Sequence, residues 1–440
     1  MLLAREAAGP GSLRSLILDL WQRTRIDWTF ATGELAAAFR RERGLGSQQR
    51  RFVAETLYGM IRHLRRIDLA LARSGLRTGS RAPDALRLTA YLVLEAGLPP
   101  ADAVRHAPDI DWQVVAGIDT ELAREPDGAR RIAATSSLPD WLAEALVAEL
   151  GADGAESLAR ALNQRAPMTV RANLLVNDRE ALAAALAAEG ITTTPGAHTA
   201  TALHADTRAN LFALASFKAG RFEVQDEGSQ LIADLVAPPP RGLVVDYCAG
   251  AGGKTLAIAA AMGNKGRIVA CDVAAGKIAE LRKRARRNRV TTVQAIELAG
   301  GWPAALAALE GKADRVLVDA PCTGVGALRR NPEARWRLTP ADLARLPGEQ
   351  LAIAEQALRL VAPGGRLIYA TCSLLRAENQ GVIDQLLTRH RDLEPVPVKE
   401  VWGKERATPL TDADGRYLVL RPDRHGTDGF FAAVLRRRSG

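Results

Sequence analysis

Two stretches of the 440-residue chain put a thiol where an apolar run gives way to polar residues: Val318-Asp319-Ala320-Pro321-Cys322-Thr323 and Tyr369-Ala370-Thr371-Cys372-Ser373. A cysteine kept for packing usually hides inside such a run, so one at its mouth invites a chemical reading as a reactive thiolate. Two of them at strand ends are hard to explain as packing. Cys271 lies within Arg267-Ile268-Val269-Ala270-Cys271 and reads as core, while Cys248 follows an apolar run and reads as lying beneath a glycine-rich turn. The four cysteines show no CxxC spacing and have no neighbouring histidine in sequence, so neither a disulfide framework nor a metal site is expected.

The glycine-rich turn is Asp246-Tyr247-Cys248-Ala249-Gly250-Ala251-Gly252-Gly253-Lys254-Thr255. Gly250, Gly252 and Gly253 let the backbone turn tightly against a ligand, and a helix after them would offer its first amides. Asp272 ends the next apolar run about 20 residues later, the spacing at which a carboxylate holds the ribose of a nucleoside cofactor. GxGxxG spacing is absent, and the phosphate-loop pattern fails because Cys248 stands where its first glycine belongs. NAD and S-adenosylmethionine both remain open on these residues.

The elements that must position these groups follow from the rhythm after Gly242. Strands are expected at 243–246, 266–271, 292–296, 315–318, 365–370 and 430–435, with helical patterns at 255–262, 275–288 and 348–360. That alternation predicts an α/β, doubly wound Rossmann-like sheet, whose ligands bind beyond the carboxyl ends of its strands. The chain before it divides in two. Helical periodicity dominates to about Arg130, including Leu35–Phe39, the stretch from Gln49 to Leu71, and Pro83–Gly97. A small α+β module of RRM-like type then follows, with a β-like run at 167–176. The expected domains are 1–135, 136–237 and 238–440, the last junction marked by prolines 238–240.

Composition sets the class. With 47% hydrophobic residues, no apolar stretch long enough to span a bilayer in the N-terminal half and no signal-peptide pattern at the N-terminus, a cytoplasmic globular protein is expected. The formal net charge of +9 favours a polyanionic partner, nucleic acid being the commonest. A monomer is expected.

Together, "CAGAGGKT", "DAPCTG" and, some fifty residues on, "YATCSLLRAEN" resemble the Sun/RsmB family of RNA (cytosine-5) methyltransferases, the 16S ribosomal RNA type above all. "RFEVQDEGSQL", "RRNPEARW" and "DGFFAAVLRR" fit the same pattern, and "QQRRFVAETLYGMIRH" is similar to the NusB-like RNA-binding domain of some members. The resemblance implies a methyltransferase using S-adenosyl-L-methionine. It makes Cys372 the nucleophile that adds to cytosine C6 and Cys322 the group that assists loss of the C5 proton and product release. Asp319 would bond the N3 edge, and Lys254 would favour the thiolate or orient the base. Cys248, Ala249, Gly250, Ala251, Gly252, Gly253 and Lys254 map onto the methionine and backbone contacts, Asp272 onto the ribose. Glu297 stands where the family has an Asp for the adenine, and Asp319 also borders the cofactor.

A base inside a duplex cannot present C6 to a thiol, so a single-stranded or flipped RNA target is expected. Arg329, Arg330, Arg335 and Trp336, with Arg337, interleave an aromatic with cations, as a strand-binding surface would. The arginine-rich run 277–289 adds charge near the cofactor edge. A transfer RNA target and a non-catalytic RNA-binding assembly factor are the alternatives. A DNA cytosine-5 methyltransferase would have no second thiol in a "TCS" turn, and an NAD oxidoreductase would need a proton-transfer histidine at a strand end, which this chain lacks.

Overall fold

The computed structural model describes residues 1–76, 82–206 and 210–439. Contacts divide the chain into two compact units: Met1–Gln164 with Leu328–Pro340, and Arg165–Ala327 with Ala341–Gly440.

The first unit is helical among its described residues. Apolar faces of helices Ser12–Asp27, Ser47–Arg62 and Asp84–Glu95 meet around Leu20, Trp21, Leu57, Met60 and Leu88. The helical stretch expected from Gln49 to Leu71 is two helices, Ser47–Arg62 and Leu64–Arg73, divided at His63. The break is held from a distance: Ser137 Oγ accepts from the Arg65 amide at 2.8 Å, near the start of the second helix. The helical pattern that continues from Pro139 forms a long helix, Asp140–Asn163, kinked at Gly151 (φ 71°), whose contacts group it with this unit.

The second unit begins with a four-stranded antiparallel sheet, ordered β2-β3-β1-β4, from β1 (Met168–Ala172), β2 (Thr193–Pro195), β3 (Ala202–Ala205) and β4 (Phe222–Val224). Helix Arg179–Ala188, capped by Asp178 accepting from the Ala181 amide at 2.7 Å, packs Leu182 and Leu186 against Val170, Leu203 and Phe222.

A larger sheet follows: β5 (Leu243–Asp246), β6 (Arg267–Asp272), β7 (Val293–Glu297), β8 (Ala313–Asp319), β9 (Val361–Thr371), β10 (Leu393–Val396), β11 (Leu418–Leu420) and β12 (Phe430–Arg437). Its order is β10-β12-β9-β8-β5-β6-β7, parallel from β7 to β9, with β12 antiparallel to β9, β10 antiparallel to β12, and β11 paired to β12. Successive strand residues face opposite layers: Val244, Leu317 and Ile368 join one core while Val245, Val316, Val318 and Tyr369 join the other. Each such buried aliphatic contributes about 1.5–3 kcal/mol. Because β5 is flanked by β6 on one side and β8 on the other, the chain direction reverses there, which opens a crevice beyond the strand ends. No helix among the described residues is long and apolar enough to cross a membrane.

Candidate active site

The crevice beyond β5 and β8 holds a cavity of about 770 Å³ lined by Cys248–Ala251, Gly253, Lys254, Asp272, Val273, Asp319 and Pro321, among others. Two glycines make its floor possible. Gly250 (φ +57°) and Gly252 (φ +84°) adopt left-handed conformations, and a Cβ on Gly252 would lie 2.7 Å from Leu281 Cγ. The turn is fixed by Asp272, whose carboxylate accepts from the Gly250 amide at 2.8 Å and the Ala274 amide at 2.9 Å while bordering the cavity. A nucleoside with a charged tail fits this donor set: a carboxylate for vicinal hydroxyls, and loop and helix amides for the tail.

Under the loop, Asp246 is fully buried. Thr255 Oγ1 donates to its Oδ2 at 2.7 Å, and Oδ1 has no partner. Burial raises its pKa to about 7 against the opposing Thr255 bond, with the charge of Asp319 adding to the rise. Lys254, in the first turn of the helix Gly253–Ala261, reaches Asp319 Oδ2 at 2.6 Å, with Phe430 under its ammonium at 5.6 Å. Burial works to lower the Lys254 pKa, but the charge and hydrogen bond of Asp319, then Cys372 and Asp246, outweigh it and leave it raised.

The thiols meet at the ends of β8 and β9, with Cys322 Sγ 3.3 Å from Cys372 Sγ. Neighbouring parallel strands explain how residues 50 apart in sequence come together. The Cys322 thiol is pushed well above its ordinary range by the hydrogen bond with Cys372, by burial, and by the charges of Cys372 and Glu378. Behind them the Gly326 amide donates to the Cys372 carbonyl at 2.9 Å and the Gly429 amide to the Gly326 carbonyl at 2.9 Å. A Cβ on Gly326 would sit 2.2 Å from Gly429 O, so these backbones meet only as glycines.

The structure thus brings Lys254, Asp272, Asp319 and the loop Cys248–Gly253 around one cavity and sets Cys322 against Cys372. Cys248 borders the cavity instead of lying beneath the turn, with its thiol pushed up by burial. Cys271 is buried as expected.

Glu297 is exposed at the end of β7, paired in register with Asp272 of β6, and the residue after it, Leu298, lines the cavity. The strand-binding surface at 329–336 is corrected. This segment folds into the helical unit, where Arg335 is 0% exposed and its Nη1 donates to Asn163 Oδ1 at 2.8 Å and to the carbonyls of Arg62, Ser136 and Ser137. Trp336 packs beside Trp28 and donates from Nε1 to the Ile61 carbonyl at 2.8 Å, and Arg329 is buried. Arg330 keeps part of its surface, and Arg337 is exposed with its guanidinium 5.2 Å from the Phe30 ring centroid.

Gln225, Ser229 and Trp302 also line the cavity without having been singled out in the sequence, and so does Arg284 of the arginine-rich run expected near the cofactor edge. "RFEVQDEGSQL" held the signal for the first two. Arg284, from the arginine-rich helix Ala275–Arg287, donates to the Ala251 carbonyl at 2.8 Å and pairs with Glu223 of β4, as does Arg287. The small sheet is thereby tied to the cofactor loop.

Comparison with known proteins agrees with this architecture. A family model described as 16S rRNA methyltransferase RsmB/F matches residues 233–436, and a ferredoxin-like domain model of the RsmF/B-like methyltransferases matches 138–211. A probable ribosomal RNA small subunit methyltransferase B of Synechocystis is 32% identical over 89% of this chain and 92% of its own. The protein so described in Bacillus subtilis is 32% identical over 90% and 92%. The crystal structure of PH0851 superposes with a TM-score of 0.76 at 25% identity, covering 97% of this chain and 99% of that one. A methyltransferase homologue from Pyrococcus horikoshii gives 0.59 at 27% identity over 71% and 98%. With both family models matched in chain order and relatives aligned along most of their length, the chain belongs to the RsmB/F family of S-adenosyl-L-methionine-dependent methyltransferases.

Proposed function

We propose that this protein methylates carbon 5 of a cytosine in small-subunit ribosomal RNA through a reversible bond between Cys372 sulfur and C6 of the base. The observation that carries this reading is the pair of thiols 3.3 Å apart, with the Lys254–Asp319 pair beside them at the cavity edge. One thiol would serve a hydrolase. A second at that distance serves a reaction in which a covalent bond to the base must form and then be undone.

Cytosine C5 is a poor nucleophile until a thiolate adds to C6. The Cys372 sulfur, having given up its proton, forms the S–C6 bond, the C5–C6 π pair shifts to make C5 an enamine carbon, and N3 takes up one proton in exchange for the one the thiol released. The ammonium of Lys254 favours the thiolate, and Asp319 is the group for the N3 edge. Bound S-adenosyl-L-methionine supplies an electrophilic methyl on its sulfonium. Gly250 and Gly252 let the loop close on that cofactor, and Asp272 holds its ribose end. After C5 has gained the methyl, Cys372 is bonded to carbon and its hydrogen bond and charge no longer hold the proton on Cys322, which passes to solvent so that the Cys322 thiolate can take the C5 hydrogen as a proton. The C5–H pair re-forms the C5–C6 double bond, the C6–S pair leaves with Cys372 as thiolate, and N3 gives up the proton it gained. Arg330 and Arg337 remain candidates for RNA contact, with the net charge of +9 behind them.

Methyl transfer from labelled donor to small-subunit RNA, with bisulfite sequencing of RNA from cells with and without the gene, tests the assignment. Cys372→Ala is expected to abolish transfer, and Cys322→Ala to trap an RNA adduct seen as a slow gel band. Normal activity in Cys372→Ala sinks the mechanism, and an unchanged 5-methylcytosine map sinks the substrate.

A further inference from the structure

We propose that Glu378 is a positioning residue that spans the two thiol loops from below and sets the gap between Cys322 and Cys372. The proposal rests on the two-thiol reading above and adds to it the group that maintains the thiol pair.

Glu378 is 0% exposed, and its carboxyl group accepts four hydrogen bonds. Two come from the residue after Cys322: the Thr323 amide at 2.8 Å and the Thr323 hydroxyl at 2.6 Å. A third comes from the residue after Cys372, the Ser373 hydroxyl. The fourth is the Gln350 amide at 2.9 Å, whose Nε2 also donates to the Pro321 carbonyl at 2.9 Å, just before Cys322. One acid therefore holds both cysteines through their immediate neighbours.

The mount itself is fixed. Tyr369 Oη donates to the Glu378 carbonyl at 2.7 Å, and Asn379 bonds Thr371 Oγ1 at 2.6 Å and the Ser373 carbonyl at 3.1 Å on either side of Cys372. Thr323, Gln350, Tyr369, Thr371, Ser373 and Asn379 are all buried. A polar network this well satisfied in a low-dielectric interior is rigid, because any displacement leaves a buried group unpaired. The cavity lining contains neither Glu378 nor its hydroxyl partners, and the network meets it only through the Pro321 carbonyl that Gln350 holds. Bonds split between these two loops fix one quantity, the sulfur-to-sulfur distance, on which handing a proton to Cys322 while Cys372 is bonded to the base depends.

The test is Glu378→Gln, which keeps the shape and leaves hydroxyl rotors free to re-pair. Ser373→Ala is the second variant, since it removes only the Cys372-side arm. In the full chain, a bifunctional thiol reagent that fluoresces only when both ends are attached is expected to bridge Cys322 and Cys372 in the wild type. In either folded variant bridging should be about tenfold slower, because proximity sets its rate. The kcat of methyl transfer should fall about a hundredfold, the cost of a displacement near 1 Å, with RNA KM and S-adenosylhomocysteine Kd unchanged within about twofold. Unmodified RNA should accumulate the covalent adduct, as with Cys322→Ala. Bridging at the wild-type rate in both folded variants overturns the proposal, as does a loss of donor and RNA affinity in step with kcat. If the wild type transfers no methyl to cytosine, the function reading fails by itself, and bridging still decides the role of Glu378.

Discussion

Asp246 gives a prediction that can be worked through in numbers. It ends β5 with one oxygen on Thr255 and the other unpartnered in a fully buried site, and its pKa is raised from 3.8 to about 7. Below pH 4 both the folded and the unfolded forms hold the proton, so the group contributes no difference. As pH rises past 4 the unfolded carboxyl ionises while the folded one does not, and folding loses about 1.4 kcal/mol per unit until the folded group ionises near 7. Across roughly three units the penalty reaches about 4 kcal/mol, on the order of several tenths of the stability of an ordinary domain. Asp246→Asn removes the titration. Hydrogen exchange of β5 amides, read as opening free energy from pH 4 to 8.5, is the assay because it reports on this sheet alone. The variant should become more stable than the wild type as pH rises, with the difference growing between 4 and 7 and flat above. Parallel curves would refute the buried, proton-holding Asp246, and so would a difference that grows as pH falls.

Other outcomes follow from sites already described. Arg335→Met should destabilise the helical unit by about 1–3 kcal/mol for each carbonyl left without a donor, while RNA affinity of the folded protein stays unchanged. Weaker RNA binding with an intact melting midpoint would restore the surface role. Gly252→Ala adds a Cβ 2.7 Å from Leu281 at φ +84°, a strain of about 1–3 kcal/mol, and should weaken S-adenosylhomocysteine by about tenfold or more in calorimetry. An unchanged Kd would show that the loop tolerates another path.

How far the sequence carried depended on whether the cause of a feature was local. β5 was read to the residue because a leucine and two valines between a glycine and an aspartate leave little choice, and β6 and β7 within one position. β10 was missed because Pro395 makes Leu393–Val396 unlike a strand, and an edge strand is where proline is tolerated. The helix Pro340–Leu358 was started late, at Gly348, because Pro347 reads as a stop. The break at His63 depends on Ser137, far along the chain, so no local pattern could show it. The site divides the same way. Motifs at strand ends announced the cavity residues and both thiols, while Glu378 looks like one more surface acid in "LLRAEN" until the two loops it joins are folded together. Arg335 misled for the opposite reason: a charged, aromatic run reads as solvated unless its burial partners are known.

The placement of residues 328–340 bears on how the chain can fold as it is made. Trp336 and Arg335 complete the interior of a unit whose other parts end at Gln164, yet they are translated after the entire cofactor turn and the first thiol loop. Domains of nascent chains usually finish from the N-terminus onward. Here the leading helices must wait, unsealed, while about 160 further residues leave the ribosome, and a fragment cut at the apparent boundary would never receive its closing piece.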